Sequence, residues 1–348
     1  ILYKVSVIRR IKHASTATCT LPIYMGFLMT EPNSISCTQL AETYNISHDS
    51  VNRFLEREDY TPHDLYQEAI QHIDNNKLIV SIDDTVLDKP YSQHMDLVSY
   101  FWSGKHHRSV KGINLITLYA TDQNGQNIPI NFRIYDKSEG KTKNDYFMDM
   151  LSEVLSWGAK IQFITGDSWY SSTGNLKTIR KYGIRFMFGI DCNRKVSPEK
   201  GQWFQLRLLP DFHQGQVVWL KDFGFVQLFK TQLKEQQRFY IVHQDEDDLL
   251  SFEGFHELHS SHWKIEQYHR VIKQVCHIEK FQVRRSKLIL NHIFSALMAY
   301  VEIQKNQFER IFENVYRWQK KLFRPIIKDF IDDFILDKNH LLPQRIYK

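Results

Sequence analysis

Three acidic residues occupy positions from which their carboxylates could act together. Asp83 lies at the end of the apolar run 77–84, and Asp167 ends the apolar run 160–167. Open α/β sheets place their sites at the carboxyl ends of strands, so these two carboxylates are expected to meet. Glu266 follows in a segment with helical spacing. Three such carboxylates suit two divalent ions roughly 3.5–4 Å apart, which activate an attacking oxygen and stabilise a leaving oxygen at a phosphate.

The polar residues around Glu266 fall along one face of a helix. His262 lies 3 residues after His259, and Glu266 lies a further 4 residues on. Lys273 follows 7 residues after Glu266, and all these steps return to the same face of an α-helix. We expect the opposite side of the helix, with Trp263 and Ile272, to pack inward. A stripe of this kind is also typical of a solvated surface, but the flanking aromatic residues and the two acid-tipped strands favour a site.

Basic residues beyond Glu266 suit a phosphate-rich partner. Lys273 lies about two helical turns past Glu266, roughly 10.5 Å along the axis, which is too far to share one metal shell. An ammonium is also repelled by divalent ions. We therefore expect Lys273, with Arg270 nearby, to hold a phosphate backbone.

The spacing of apolar residues predicts an α/β catalytic region with a mixed sheet. Three strands forming a meander are followed by helix, strand, helix and strand. The predicted segments are strands 77–84, 112–122 and 127–136, helix 141–158, strand 160–167, helix 171–183 and strand 184–191. This is the element order of the RNase H-like fold, in which helices cover the faces of a mixed sheet.

The segment 37–55 has the pattern of a helix-turn-helix. Asn45 stands where a tight turn needs a residue that tolerates left-handed geometry, and Ser47 can cap the second helix. Asn52 and Arg53 would then face outward, toward a DNA major groove. An ordinary helical hairpin is the alternative interpretation.

These patterns divide the chain into five parts. The predicted parts are a helical DNA-binding region at 1–76, the first part of the catalytic domain at 77–191, a β-rich insertion at 192–250, the Glu266-bearing completion of the catalytic domain at 251–305, and a helical tail at 306–348.

The composition allows a folded protein with a nucleic-acid partner. Hydrophobic residues make up 42% of the 348 residues, too many for a disordered chain. The formal net charge of +5 permits nucleic-acid binding without demanding it. The four cysteines form no C-x-x-C pair, so we expect a reduced, cytoplasmic compartment. No apolar run approaches the ~20 residues that cross a bilayer, and we expect no membrane association.

The ordered motifs resemble those of the DDE transposases of bacterial insertion sequences, in the group whose third motif reads Y-x-x-R-x-x-x-E-x-x-x-x-x-x-K. Glu266 falls on the acid of that motif and Lys273 on its lysine. His259 and His262 stand where the motif has Tyr and Arg, which indicates a divergent subgroup. The long separation of Asp167 from Glu266 fits the β-rich insertion of that group.

The resemblance implies the roles of further residues. The first motif of this fold reads Asp-x-Thr or Asp-x-Ser, which favours Asp83 as the first acid, with Asp84 as an alternative because Thr85 follows it. Asp83, Asp167 and Glu266 would then hold two Mg²⁺ ions, which Mn²⁺ can replace. The DNA contacts would include His259, His262 and Trp169, although packing at the strand end is an equal alternative for Trp169.

The resemblance also implies an activity and its partners. The expected reaction is metal-dependent cleavage at the ends of an insertion sequence, with water and then a DNA 3′-hydroxyl as nucleophile. The expected partners are the element's ends, the target DNA and a second copy of the chain in a homodimer. Two alternatives stay open: an RNase H-like nuclease or resolvase without strand transfer, and a non-catalytic DNA-binding regulator derived from a transposase.

Overall fold

A computed structural model describes residues 18–31, 35–104, 107–233, 236–244 and 248–341. The described residues form nine helices and eleven strands. The helices are α1 (Leu21–Thr30), α2 (Cys37–Tyr44), α3 (His48–Arg57), α4 (Pro62–Ala69), α5 (Lys143–Ser156), α6 (Thr173–Lys181), α7 (Phe252–Gln274), α8 (Ser286–Phe308) and α9 (Val315–Leu341). The ends of the predicted DNA-binding region and of the predicted tail, 1–17 and 342–348, lie outside the described residues.

The strands belong to one mixed sheet. They are β1 (Leu78–Asp88), β2 (Ser99–Ser103), β3 (Arg108–Thr121), β4 (Asn127–Ile134), β5 (Ile161–Gly166), β6 (Arg185–Ile190), β7 (Lys195–Ser197), β8 (Phe204–Gln205), β9 (Gln216–Leu220), β10 (Gly224–Leu233) and β11 (Gln236–His243).

The centre of the sheet has the RNase H-like arrangement. β1 pairs antiparallel with β3 and parallel with β5, and β6 pairs parallel with β5. β4 pairs antiparallel with the second half of β3, so the order across the centre is β4, β3, β1, β5, β6. The predicted meander and the following alternation of helix and strand are confirmed. β2, which pairs with the first half of β3, was not predicted.

The predicted β-rich insertion extends this same sheet. β11 pairs antiparallel with β6, and β10, β9, β7 and β8 follow in that order. The segment 192–250, predicted to be rich in β structure, contains β7, β8, β9, β10 and β11. The segment therefore adds strands beside β6, the outermost strand of the central part.

Local sequence signals explain where the helices begin and end. Thr142 and Asp145 form a capping box at the start of α5, and the chain leaves this helix through Gly158 with φ +97°. α2 and α3 are joined through Asn45, whose φ of 52° is left-handed, and Ser47 caps α3 by accepting from the backbone of Asp49. The predicted tight turn between two helices is thus present.

Helix α8 joins the N-terminal helices to the sheet. It contacts α1, α3, α4 and β4, and its central residues are buried. Asn291 donates from its side-chain amide to the carbonyls of Leu55 and Glu58, each at 2.7 Å, and its Oδ1 accepts from the Tyr60 N–H. Because these polar groups are paired inside the core, they fix α3 and the start of α4 against α8. None of the described helices is long and apolar enough to cross a membrane.

Candidate active site

Asp83 lies in β1 on the face of the sheet that α7 covers. Its cross-strand neighbour in β3 is Thr117. The Oγ1 of Thr117 lies 3.4 Å from the hydroxyl of Tyr268 on α7. One oxygen of Asp83 accepts from the Asp84 N–H at 2.8 Å. The other lies 3.6 Å from Nδ1 of His269 on α7, a polar contact slightly longer than a hydrogen bond.

Asp84 lies on the opposite face because side chains alternate along a strand. Its carboxylate accepts from the Tyr170 hydroxyl at 2.8 Å, from Nζ of Lys143 at 2.7 Å and from the amide of Asn114 at 2.6 Å. Three donors, one of them an ammonium, occupy most of the lone pairs of this carboxylate. Asp84 is thus tied into the packing between β1, β3 and α5.

Asp167 follows directly after β5 and begins a short 3-10 turn. Its carboxylate accepts from the Trp169 N–H at 3.0 Å, which fixes the direction of the side chain. Gly166 before it has close neighbours: a Cβ there would lie 2.6 Å from the Phe188 ring and 2.7 Å from a methyl group of Ile82. The strand end can pack this tightly between β1 and β6 only with glycine.

Glu266 projects from α7 into a cleft that the two aspartates also line. The cleft has a volume of about 730 Å³, and its walls include Asp83, Asp167, Glu266 and His262. A smaller cavity of about 340 Å³ adjoins it, and Asp83 and Glu266 line both. The three carboxylates that the sequence predicts to converge therefore line one cleft, and their joint binding of metal ions stays a prediction.

The surroundings of the three carboxylates in the cleft raise the pKa of each of them. Burial, followed by the negative charge of Asp167 and with a smaller contribution from Glu266, holds the pKa of Asp83 well above its usual range. Burial and the charge of Asp84 raise the pKa of Asp167 to about 6. Burial also raises the pKa of Glu266. A cation among these groups would offset both the burial and the repulsion.

The donor set fits a hard divalent ion, although the carboxylates do not form a closed shell. In the part of the chain that the structure describes, no three His, Cys, Asp or Glu side chains are grouped closely enough to ligate one ion. Mg²⁺ is usually bound by one or two carboxylates together with waters and substrate phosphates, and not by a complete protein cage. The arrangement of Asp83, Asp167 and Glu266 is compatible with such open sites.

The two histidines of the third motif contact the protein. Nε2 of His259 lies 3.0 Å from the Tyr240 hydroxyl on β11, and Nδ1 of His262 lies 3.3 Å from Oγ1 of Thr165 on β5. Burial lowers the pKa of His262 to about 4 and also lowers that of His259. Both rings are therefore neutral near pH 7, and they connect α7 to the sheet.

Three other residues predicted to contact DNA lie on α7 and directly after Asp167. Nζ of Lys273 donates to the carbonyl of Val86 at 2.6 Å, which ties the helix to the end of β1. Arg270 is exposed. Trp169 is 62% exposed, and Nζ of Lys143 lies 5.5 Å from the centroid of its ring.

The expectation that Trp263 packs inward is wrong. Its side chain is 43% exposed and lines the larger cleft. Ile272 is buried as expected, and Ile265 and Tyr268 are buried with it on the side of the helix that faces the core. The face that carries Trp263 is adjacent to the polar stripe and not opposite to it, so the aromatic residue borders the site.

Asn52 and Arg53 lie on α3, far along the chain from the carboxylates. Arg53 is exposed and lies 3.8 Å from Asp49, and the Asn52 amide contacts the ring of His48 at 3.2 Å. Val51, Phe54 and Leu55 are buried on the other side of the helix. The predicted outward face of α3 is therefore polar and accessible.

Residues 74–301 match the family model of the transposase DDE domain. The chain belongs to this family. The matched range includes the complete α/β centre of the transposase domain, the added strands and the helix that carries Glu266. Asp83, Asp167 and Glu266 all lie within it.

Comparisons with individual proteins add little. No curated protein matches the chain. The structure of Marinitoga piezophila Argonaute with 5′ OH guide RNA and target DNA is similar at 11% identity over 67% of this chain and 33% of that chain, with a TM-score of 0.23. The same Argonaute with guide RNA alone gives 10% identity, 63% and 31% coverage and a TM-score of 0.22. The transposase chain spans about a third of these structures, and similarity this weak supports no statement about function.

Sequence reasoning missed His269, although a signal for it was present. This residue lies 3 residues after Glu266 and 4 before Lys273, on the same helical stripe. It is 8% exposed, and its Nε2 has no hydrogen-bond partner among the described residues. Burial, followed by the charge of Lys273, lowers its pKa to about 3. A neutral imidazole thus lies beside the carboxylate of Asp83.

Proposed function

We propose that this chain is a transposase that cuts DNA at the ends of a mobile element and joins those ends to target DNA. Asp83, Asp167 and Glu266 are its catalytic carboxylates and hold two divalent ions, Mg²⁺ or Mn²⁺. The observation that carries the proposal is that these three side chains line one cleft, although they come from β1, from the end of β5 and from α7. Membership of the transposase DDE domain family supports the same reaction class.

The choice of Asp83 over Asp84 rests on the faces of β1. Asp83 lies on the side of Glu266, and its carboxylate accepts a backbone N–H and contacts one imidazole. Asp84 is engaged by three donors on the other face. A carboxylate needs free lone pairs to ligate an ion, which favours Asp83 as the first acid.

The residues of the cleft have different roles in the proposed reaction. Two divalent ions, when bound, supply activation of the attacking oxygen and stabilisation of the leaving oxygen. Asp83 in β1 and Asp167 directly after β5 provide rigid ligand positions, whereas Glu266 depends on the placement of α7. His259 and His262 fix that helix on the sheet through Tyr240 and Thr165.

DNA binding is assigned to surfaces on both sides of the cleft. Arg270 and Lys273 extend the stripe of α7 beyond Glu266, where they would contact the DNA backbone. Trp169 is exposed next to Asp167, where it would contact the strand near the cut. Asn52 and Arg53 on α3 would read the sequence of the element's ends. Because an element has two ends, we propose that two copies of the chain act together.

The test uses DNA fragments taken from the two flanks of the gene, together with an unrelated plasmid as target. The chain should cut one fragment from each flank in Mg²⁺ or Mn²⁺ and join it to the plasmid, and excess chelator should abolish both products. Ca²⁺ should support binding better than cutting because its geometry is looser. Asp83→Asn, Asp167→Asn and Glu266→Gln should each remove both products while DNA binding persists.

Three results would count against the proposal. Cutting that continues undiminished in chelator would exclude the metal mechanism. Binding without any cutting would favour a regulator derived from a transposase, and cutting without joining would favour a nuclease or resolvase.

A further inference from the structure

The backbone pairing between β1 and β5 ends just before the two aspartates of the cleft. The last pair of this parallel ladder is Ile82 with Gly166. Asp83 and Asp167 each lie one residue beyond it, so within the described strands no β1–β5 backbone pairing fixes the distance between them. Two divalent ions roughly 3.5–4 Å apart need ligands whose separation is closely held. The sheet alone does not provide that separation.

A hydrogen bond between side chains bridges the gap on the face of the sheet opposite to the cleft. Tyr170 ends the short 3-10 turn that Asp167 begins, and its hydroxyl donates to Oδ1 of Asp84 at 2.8 Å. The same turn orients the Asp167 carboxylate, which accepts from the Trp169 N–H at 3.0 Å. The N–H of Asp84 in turn donates to the Asp83 carboxylate at 2.8 Å. The bond therefore connects the two segments that carry the aspartates of the cleft.

The acceptor of this bond is fixed by two further elements. Oδ2 of Asp84 accepts from Nζ of Lys143 at 2.7 Å and from the side-chain amide of Asn114 at 2.6 Å. Lys143 begins α5 and Asn114 lies in β3, so the carboxylate is attached to a helix and to a neighbouring strand. These bonds occupy Oδ2 and direct Oδ1 toward Tyr170.

The donor of the bond is equally fixed. The side chain of Tyr170 is fully buried, and its ring meets that of Phe147 edge to face with the centroids 5.6 Å apart. The backbone carbonyl of Tyr170 accepts from the side-chain amide of Asn175 at 2.9 Å. Because both ends are held in place, the bond fixes the distance between β1 and the turn that follows β5.

We propose that the hydrogen bond between Asp84 and Tyr170 sets the separation of Asp83 and Asp167, and with it the spacing of the two metal ions. This assignment rests on the proposed function, because it assumes that Asp83 and Asp167 bind those ions. Asp84 and Tyr170 are positioning residues, since they act through the neighbouring aspartates from the far face of the sheet. The second acid of the Asp83–Asp84 pair thereby serves the reaction without ligating metal.

Hydrogen exchange of backbone amides in the metal-free chain tests whether the bond holds the turn. Tyr170→Phe keeps the buried ring and removes only the hydroxyl, so the fold should persist while the amides of residues 168–171 exchange about tenfold faster. The matched control is Tyr24→Phe, which removes a buried hydroxyl that lies 2.8 Å from Nδ1 of His292, between α1 and α8. Unchanged exchange at 168–171 in Tyr170→Phe, or equal acceleration there in Tyr24→Phe, would overturn the proposal.

Titration of Mn²⁺ followed by electron paramagnetic resonance tests the metal spacing, because two close Mn²⁺ ions give a spin-coupled spectrum that separate ions do not. Tyr170→Phe should lower the affinity for the second Mn²⁺ about tenfold, within the usual effect of removing a group that orients metal ligands, and should weaken the coupled spectrum. Asp84→Ala should have the same effect. Asp84→Asn should keep most of the affinity, because the asparagine oxygen can still accept from Tyr170.

The outcomes separate this bond from the proposed function. If the unaltered chain binds two coupled Mn²⁺ ions and Tyr170→Phe binds them equally well, the positioning role is wrong and the proposed function stands. If the losses in Tyr170→Phe and Asp84→Ala add in the double variant, the two side chains act independently and the positioning role is also wrong. An unaltered chain that binds no pair of Mn²⁺ ions would contradict the proposed function and the metal spacing together.

Discussion

Asp83 and Asp84 are adjacent in β1, yet their carboxylates lie on opposite faces of the sheet. Asp83 shares the cleft of about 730 Å³ with Asp167 and Glu266. Asp84 accepts hydrogen bonds from Tyr170, Lys143 and Asn114. The two neighbouring aspartates therefore have different roles. Asp83 has lone pairs available for a metal ion in the cleft, whereas the hydrogen bonds of Asp84 hold together the elements packed on the other face.

Replacing each of these aspartates by asparagine should show that Asp83 is needed for DNA cutting and Asp84 for the stability of the fold. Asp83→Asn should abolish cutting and, in metal-free buffer, raise the free energy of unfolding, because it removes repulsion from Asp167 and the burial of a charge. Asp84→Asn should lower that free energy by about 1–3 kcal/mol, since the partly buried Lys143 loses its ion pair. Denaturant unfolding together with a cutting assay measures both. The opposite pattern would assign the catalytic role to Asp84.

His269 is predicted to hold the carboxylate of Asp83 in place. His269→Leu should lower the apparent affinity for Mn²⁺ by about 10–100-fold, the usual effect of removing a group that orients a metal ligand. His269→Gln keeps a polar contact and should restore part of that affinity. Calorimetric titration of Mn²⁺ in the absence of DNA makes the measurement. If His269→Leu binds Mn²⁺ as the unaltered chain does, the imidazole has only a packing role.

The outward face of α3 is predicted to read DNA sequence. Replacing Asn52 and Arg53 together by alanine should reduce the preference for the element's ends over unrelated DNA, because each good base contact supplies roughly 1–3 kcal/mol of discrimination. Folding should be unaffected, since neither side chain is buried. Competition binding at fixed salt gives the specificity ratio. An unchanged ratio would make α2 and α3 an ordinary helical hairpin.

Lys273 is predicted to contact the DNA backbone. Lys273→Ala should weaken end binding and reduce the salt dependence of that binding by about one phosphate contact. Lys264→Ala is a matched control, because Lys264 lies on the same helix and also donates to a backbone carbonyl, that of Gly125 at 3.1 Å. The slope of affinity against salt concentration is the measurement. Equal slopes in both variants would show that the hydrogen bond to Val86 is the main role of Lys273.

The fold of the catalytic region was predictable because its strands carry strong local signals. The apolar runs 77–84 and 160–167 form strands as predicted, and the turn Gln123–Gly125 between β3 and β4 contains a glycine with φ +77°. The predicted end of the first strand is wrong: β1 continues to Asp88, so Asp83 lies within the strand and not at its end. β2 was missed because it has only five residues, two of them exposed aromatics, at the edge of the sheet. The pairing of β11 with β6 was missed as well, because segments distant in the chain leave no local pattern when they pair.

The carboxylates of the site were predictable, whereas their surroundings were not. Helical spacing placed Glu266 on one face of α7, but the angle at which α7 meets the sheet depends on contacts such as His262 with Thr165. That angle decides that Trp263 borders the cleft and that His269 contacts Asp83.

The central claim is that Asp83, Asp167 and Glu266 bind divalent ions together. Metal-directed cleavage of the polypeptide tests this claim most directly. Fe²⁺ replaces Mg²⁺ in the cleft and, with ascorbate and peroxide, produces radicals that cut the nearest backbone. Cuts are expected near residues 83, 167 and 266, and they should be suppressed by excess Mg²⁺ and lost in Asp83→Asn. Cuts confined to other segments, or cuts that persist unchanged in Asp83→Asn, would contradict it.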